Sequence, residues 1–169
     1  MFIWQYIDIP EKEILAIQQA VRNNLPDNGE FFQYLDVELN TFLGSEVDMV
    51  VLIQAAPGFG LDGFGIHKDA GAEEDQRLAI NIPLDNCEES ITKFWKTDKP
   101  EIKQFTPNGI PYNYFEMDGC EQIDEFILTR PIIFDTGVPH LVINPQDVWR
   151  RAISIRFKKD PWHLIKQDC

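Results

Sequence analysis

Apolar positions along this chain switch between a two-residue and a 3.6-residue period, and each switch marks a change of element. The stretch from Phe2 to Ile9 alternates and is rich in β-favouring side chains, which predicts a first strand. Pro10 stands where a helix begins, and Glu11 and Glu13 fall in the first turn, where negative charge is favourable. Ile14, Ile17, Val21 and Leu25 recur at three- and four-residue steps, so an amphipathic helix should end before Pro26. A second helical or irregular stretch is expected over 31–43.

Beyond it the pattern turns to strands. Val47 to Ala55 is a continuous apolar run closed by Pro57-Gly58, and reads as a buried strand. Leu78, Ile80, Ile82 and Leu84 share one face of the next, with Ala79 and Asn81 on the other. Thr92 to Trp95 reads as a further strand, with Trp95 in the core. Residues 96–123 are rich in Pro, Gly and acids with short strand-like pieces. They are too long for a simple hairpin loop, which suggests a cover over a site.

Near the end, Trp149 to Phe157 alternates strictly: Arg150, Ala152, Ser154 and Arg156 on one face, Arg151, Ile153, Ile155 and Phe157 on the other. A turn around 144–147 would fold this strand back beside 140–143 and set residue 150 or 151 opposite His140. Strands at this spacing predict a mainly β, double-layered antiparallel fold, with N-terminal helices packed on the outer face of one sheet. The 169 residues show no repeat and no dividing linker, so they read as a single domain 1–169. Its N-terminal strand and helices would span 1–46 and its β core 47–157.

Composition removes several classes of function. A net charge of −13 argues against nucleic-acid backbones as partners, although Arg150, Arg151, Arg156, Lys158 and Lys159 cluster late in the chain. No run of eighteen apolar residues suggests a membrane span, and the first residues lack the basic start and long apolar run of a signal peptide. Cys87, Cys120 and Cys169 are scattered with no C-x-x-C, and read as reduced thiols of a cytoplasmic protein. Neither a G-x-S-x-G nor a P-loop lysine is present, which sets aside triad hydrolysis and nucleotide cradling.

What remains is His67-Lys68-Asp69 and, far downstream, His140, which together use two of the three histidines. On an extended strand His67 and Asp69 point the same way and reach one ion together. Two imidazoles and a carboxylate on one side of a metal leave the other side open, the facial arrangement of non-haem Fe(II) oxygenases. Under the hairpin model Arg150 and Ser154 face the cavity that holds His140, and Asn81 joins them from the earlier strand. A bound 2-oxo diacid would chelate the metal at one end and present its distal carboxylate to a guanidinium at the other. Either Arg150 or its neighbour Arg151 is placed for that. His163 fits no pattern and reads as surface.

These residues resemble a known family. Gly65-Ile66-His67-Lys68-Asp69, the strand Arg77–Leu84, the segment Phe134–His140 and the closing Arg150–Phe157 are similar to the Fe(II)/2-oxoglutarate-dependent dioxygenases, in particular aspartyl/prolyl-hydroxylase-like phage and bacterial members. The resemblance spans roughly 47–157. It implies a double-stranded β-helix (jelly roll, cupin-like) with Fe(II) on His67, Asp69 and His140. Arg150, supported by Ser154 and Asn81, would hold 2-oxoglutarate. Many members carry Arg-x-Ser; here Ala152 takes the second position and Ser154 follows four after the arginine. The implied activity is hydroxylation by O2 of a small-molecule or amino-acid-like substrate, coupled to conversion of 2-oxoglutarate to succinate. Two alternatives keep the scaffold: a cupin-like metalloenzyme that needs no 2-oxo acid, and a binding module without catalysis.

Overall fold

In a computed structural model that describes residues 1–63, 65–69 and 75–166, the first alternating stretch condenses to a short strand, β1 (Trp4–Tyr6). Helix α1 (Glu11–Arg22) follows, with the Pro10 carbonyl accepting from Glu13 and Ile14. It ends at Asn23-Asn24, before Pro26 would break it. Then come β2 (Phe32–Leu35), β3 (Thr41–Phe42), β4 (Ser45–Ala55), β5 (His67–Asp69), β6 (Leu78–Asp85) and β7 (Ile91–Lys96). The hairpin β8 (Ile102–Phe105) and β9 (Pro111–Tyr114) precedes β10 (Glu121–Ile127), β11 (Ile132–Asp135), β12 (His140–Ile143) and β13 (Arg150–Phe157). A 3-10 turn, Trp162–Leu164, comes last.

All the pairings are antiparallel and form two sheets. The larger runs β1-β11-β6-β13-β4-β2, with β3 also on β4; the smaller runs β10-β7-β12-β5-β9-β8. Alternation decides what each face of the larger sheet meets. Leu52, Ile80, Ile82, Ile153 and Ile155 pack beneath Ile17 and Val21 of α1. Ala79, Phe134 and Ala152 point the other way, against Phe94 and Phe126 of the smaller sheet. Fully burying one Ile or Leu is worth about 1.5–3 kcal/mol, so this apolar face, more than helix propensity, holds α1 in place. Trp95 packs with Ile66, Phe115 and Leu141 in a third cluster, as a core residue. The layout is mainly β in two antiparallel sheets, as expected, and is consistent with a jelly roll.

Two expectations need correction. Residues 31–43 hold no helix; they form β2 and β3, so among the described residues one α-helix, not several, covers the large sheet. Phe32–Leu35 pair with Ile53–Val50 along the edge of β4, and that pairing overrides the local signal. The second correction concerns β12 and β13, which are not a hairpin. β12 pairs with β5 and β7, whereas β13 lies in the other sheet between β4 and β6. The linking segment is a corner pinned by Asn144, whose amide donates to the Ala55 and Val148 carbonyls. Arg150 therefore sits opposite Ala55 and not opposite His140. The face assignment on β13 nonetheless holds, because parity does not depend on the neighbour.

Residues 96–123 carry the strands β8 and β9 and the start of β10 between irregular stretches. β9 extends the smaller sheet at β5, and the β8–β9 turn reaches over the mouth of a cleft. Cys87 and Cys120 are free thiols, while Cys169 lies outside the described residues. Among the described residues, no helix is long and apolar enough to cross a membrane.

Candidate metal centre

β5 is only three residues long, yet it sits between β12 and β9 and so fixes two ligands at once. His140 is the register partner of His67, and Asp69 lies across from Tyr112. The chain reaches β5 through a turn where Gly60 adopts φ +78, and a Cβ there would run into the Val142 carbonyl of β12. Only glycine allows that approach.

Both imidazoles are oriented by backbone. His67 Nδ1 lies 2.7 Å from the Gly65 carbonyl, and His140 Nδ1 2.8 Å from that of Val138. A carbonyl accepts only, so each Nδ1 carries a proton and, in the neutral imidazole, Nε2 is the nitrogen left with a lone pair for a metal. These nitrogens face Asp69 Oδ1 at 3.7 Å from His67 and 3.8 Å from His140. One ligand atom from each of His67, Asp69 and His140 lies within 4.8 Å of the others. Nδ1–carbonyl bonds of this kind set tautomer and ring direction in metal sites.

Electrostatics agree with the geometry. Burial, then the neighbouring His67, lowers His140 from 6.5 to about 4, against the raising pull of Asp69 and Val138. Its imidazole is neutral at pH 7. Burial alone would raise Asp69, but the charges of Arg156, His140 and His67 and the Arg156 hydrogen bond bring it down to about 2. An ionised carboxylate with the imidazole nitrogens of His140 and His67 is a donor set suited to a divalent ion such as Fe(II) or Zn(II), and the residues fit such a metal.

Arg156 is the residue that sequence reasoning placed on the right face without giving it a role. Its Nη1 holds Asp69 Oδ2, its Nε donates to Ser154 Oγ at 3.0 Å, and its guanidinium lies 5.3 Å over the Phe32 ring. Parity was the available signal, since Arg156 shares a face with Arg150 and Ser154. Ser154 pairs with Asn81, and both are buried. Asn81, Thr92, Phe134 and Arg156 join the three ligands around a pocket of about 20 Å³, where Asn81 Oδ1 has no hydrogen-bond partner among the described residues.

Arg150 lies elsewhere on the same inner face. It is 1% exposed, and neither Nε nor Nη1 finds a partner among the described residues. Burial pushes it below its usual value and Cys87 sits beside it, yet a guanidinium stays charged at any ordinary pH. Arg151 faces away, donating to Gln54 at 3.0 Å and pairing with Asp85 at 3.6 Å. Of the two adjacent arginines, Arg150 is thus the inward one. His163 is at the surface, 3.2 Å from the Leu43 carbonyl.

A larger cleft of about 770 Å³ opens beside His67, Asp69 and Arg156. Phe31 and Phe59 stack in its wall at 4.6 Å between centroids, and Phe31 and Tyr112 set their rings edge-on to His67. Nothing in the local sequence pattern announced that wall, because its parts come from β2, the glycine turn and the β8–β9 hairpin.

No protein-family model and no curated protein matches this chain. Solved structures do. EvdMO1 is 15% identical, over 95% of this chain and 48% of its own, with a TM-score of 0.56. SnoK, a non-heme alpha-ketoglutarate-dependent carbocyclase from nogalamycin biosynthesis, is 10% identical over 92% of this chain and 79% of its own, with a TM-score of 0.50. A Pseudomonas putida prolyl-4-hydroxylase is 16% identical over 95% of this chain and 94% of its own, at 0.47. The first two share the overall fold of this chain, which spans about half the length of EvdMO1, 48%.

Proposed function

We propose that this chain is an Fe(II)- and 2-oxoglutarate-dependent oxygenase that couples oxidation of a substrate by O2 to conversion of 2-oxoglutarate to succinate. The observation that carries the reading is the convergence of two imidazole Nε2 atoms on one oxygen of Asp69, each ring locked through Nδ1 by a backbone carbonyl. Iron would be held there by His67, Asp69 and His140 and would supply the redox chemistry that activates O2. The cleft of about 770 Å³ beside His67, Asp69 and Arg156 would give a 2-oxo acid and O2 their approach.

Arg150 takes the distal carboxylate of 2-oxoglutarate in this reading. Its support is the buried guanidinium on the inner face of β13, whose Nε and Nη1 have no partner among the described residues and for which an anion is the natural complement. Asn81 and Ser154 line the way between. The pocket there is only about 20 Å³, so a diacid enters by parting Asn81, Thr92 and Arg156. A second placement is favoured by one observation: Arg156, not Arg150, lines the open cleft. It would give the anchor to Arg156, which would exchange Asp69 for the incoming carboxylate.

Anaerobic addition of Fe(II) and 2-oxoglutarate should produce a weak visible charge-transfer band, and O2 should then release succinate. Arg150→Ala should weaken 2-oxoglutarate binding at least tenfold while Fe(II) still binds; the same loss in Arg156→Ala alone moves the anchor. Protein that binds Fe(II) but gives no band is not this oxygenase, and the cupin-like metalloenzyme then takes its place. Protein that binds no metal leaves the binding module.

A further inference from the structure

The β8–β9 hairpin stands on the smaller sheet and reaches across the cleft toward the larger one. Its root is tied several times. β9 pairs with β5 from Tyr112 to Tyr114, the Phe115 amide donates to the Ile66 carbonyl at 2.9 Å, and Lys68 holds Glu101 at 2.8 Å. Its tip is built as one body around Thr106. The Thr106 amide donates to the Ile110 carbonyl at 2.8 Å, and the Thr106 carbonyl accepts from the Gly109 amide at 2.9 Å. The Thr106 hydroxyl donates to Asn108 Oδ1 and accepts from the Ile110 amide. Even the exposed Phe105 ring is answered from within the hairpin, by Lys103 Nζ at 5.8 Å from its centroid.

What joins this tip to the opposite wall, among the described residues, is one hydrogen bond: Asn108 Nδ2 donates to the Phe32 carbonyl of β2 at 2.9 Å. The bond spans the mouth, with Pro107 and Ile110 lining the cleft on one side of it and Phe31 and Tyr34 on the other. β8 is the last strand of its sheet, and three of its four residues are exposed. Outside the turn there is open space, since a Cβ on Gly109 would meet nothing within 4 Å. Exposed hydrogen bonds over little buried apolar surface mark the parts of a fold that open at low cost. A bond of this kind shifts an equilibrium roughly three- to tenfold. It favours the closed arrangement without locking it.

We propose that the β8–β9 hairpin is a hinged strap, latched by Asn108, that swings out on its β5 root and sets the size of molecule able to reach His67 and Asp69. Small molecules pass beside the closed strap, and bulky ones enter only when the latch parts. The proposal goes beyond the oxygenase reading and needs no metal.

Asn108→Asp cuts the latch cleanly: a carboxylate keeps an oxygen for Thr106 and loses the donor to Phe32. The reporter is Met49→Cys, a position that lines the cleft as the register partner of Arg156. Cys120→Ser and Cys169→Ser leave buried Cys87 as the one native thiol. Metal-free protein is labelled with pyrene maleimide or with N-methylmaleimide, which share one reaction and differ in bulk. Cutting the latch should speed the pyrene reagent roughly three- to tenfold and leave the methyl reagent within about twofold. An unchanged pyrene rate would overturn the proposal, and so would equal acceleration of both reagents, which marks general loosening and not a strap. Because no iron is present, either failure leaves the charge-transfer test of the oxygenase standing.

Discussion

Burial, then the neighbouring His67, takes His140 from 6.5 down to about 4, so the imidazole that must bind a metal stays neutral well into the acid range. The same shift makes the fold acid-sensitive. Between about 6.5 and 4 the unfolded chain holds a proton on this residue that the folded chain refuses, so stability is lost as pH falls through that window. Asp69, ordinarily 3.8 and here about 2, adds a further loss below that. His140 alone is worth about 2–3 kcal/mol, or a fall in Tm of roughly 5–10 °C, between neutral pH and its lower limit. Other carboxylates also protonate there, so the readout is a difference: metal-free His140→Gln should lose less Tm than the parent between pH 7.5 and 4.5. Equal losses in the two proteins would remove His140 as the cause. The shared side of His67 and Asp69 was legible in the sequence, because alternation alone puts residues i and i+2 on one side of a strand. The contact between Arg156 and Asp69 was not, because it joins the smaller sheet to the larger and no local period encodes that.

The turn between β11 and β12 carries His140, and Asp135 organises it. Asp135 Oδ1 accepts from the Gly137 amide at 2.8 Å and from Arg77 Nε at 3.0 Å, and Oδ2 accepts from Arg77 Nη2 at 2.6 Å. Thr136 Oγ1 donates to the Arg77 carbonyl, so β6 and the turn are tied at backbone as well as side chain. Asp135 is 4% exposed, and its replacement leaves the half-buried Arg77 guanidinium and the Gly137 amide without this acceptor. Asp135→Ala should cost about 1–3 kcal/mol in urea denaturation and weaken metal binding as well, because Val138 no longer holds His140 Nδ1 in line. Loss of stability with metal affinity untouched would mean the turn does not position the ligand. This scale also shows where sequence reasoning stops. A two-residue period tells which face a side chain takes, and it correctly separated Arg150 from Arg151. It does not name the strand alongside, so β12 and β13 read as a hairpin when Asn144 in fact turns the chain from one sheet to the other. The stretch 31–43 failed for the same reason: its strands exist because β4 offers an open edge.

At the scale of the whole chain, the candidate metal ligands lie on strands far apart in sequence and meet only when β5 and β12 pair. The unfolded chain therefore offers a metal at most the local His67–Asp69 couple, and binding free energy becomes folding free energy. Fe(II) added anaerobically at a hundred times its Kd should stabilise the protein by about 2.7 kcal/mol, raising Tm by roughly 5–10 °C. A chelator should reverse it. A chain of net charge −13 complicates the reading, since any divalent cation relieves its self-repulsion without a specific site. Ligand chemistry separates the two effects. Mg(II) demands oxygen donors and dehydrates reluctantly, so two imidazoles and one carboxylate hold it poorly, while Fe(II), Mn(II) and Zn(II) take them well. At matched ionic strength the rise in Tm should be several-fold larger with Fe(II) than with Mg(II), and His140→Gln should erase the difference while leaving the Mg(II) effect in place. Equal stabilisation by both ions would point to the acidic surface as their binding place and leave His67, Asp69 and His140 as a polar cluster of the β5–β12 pairing.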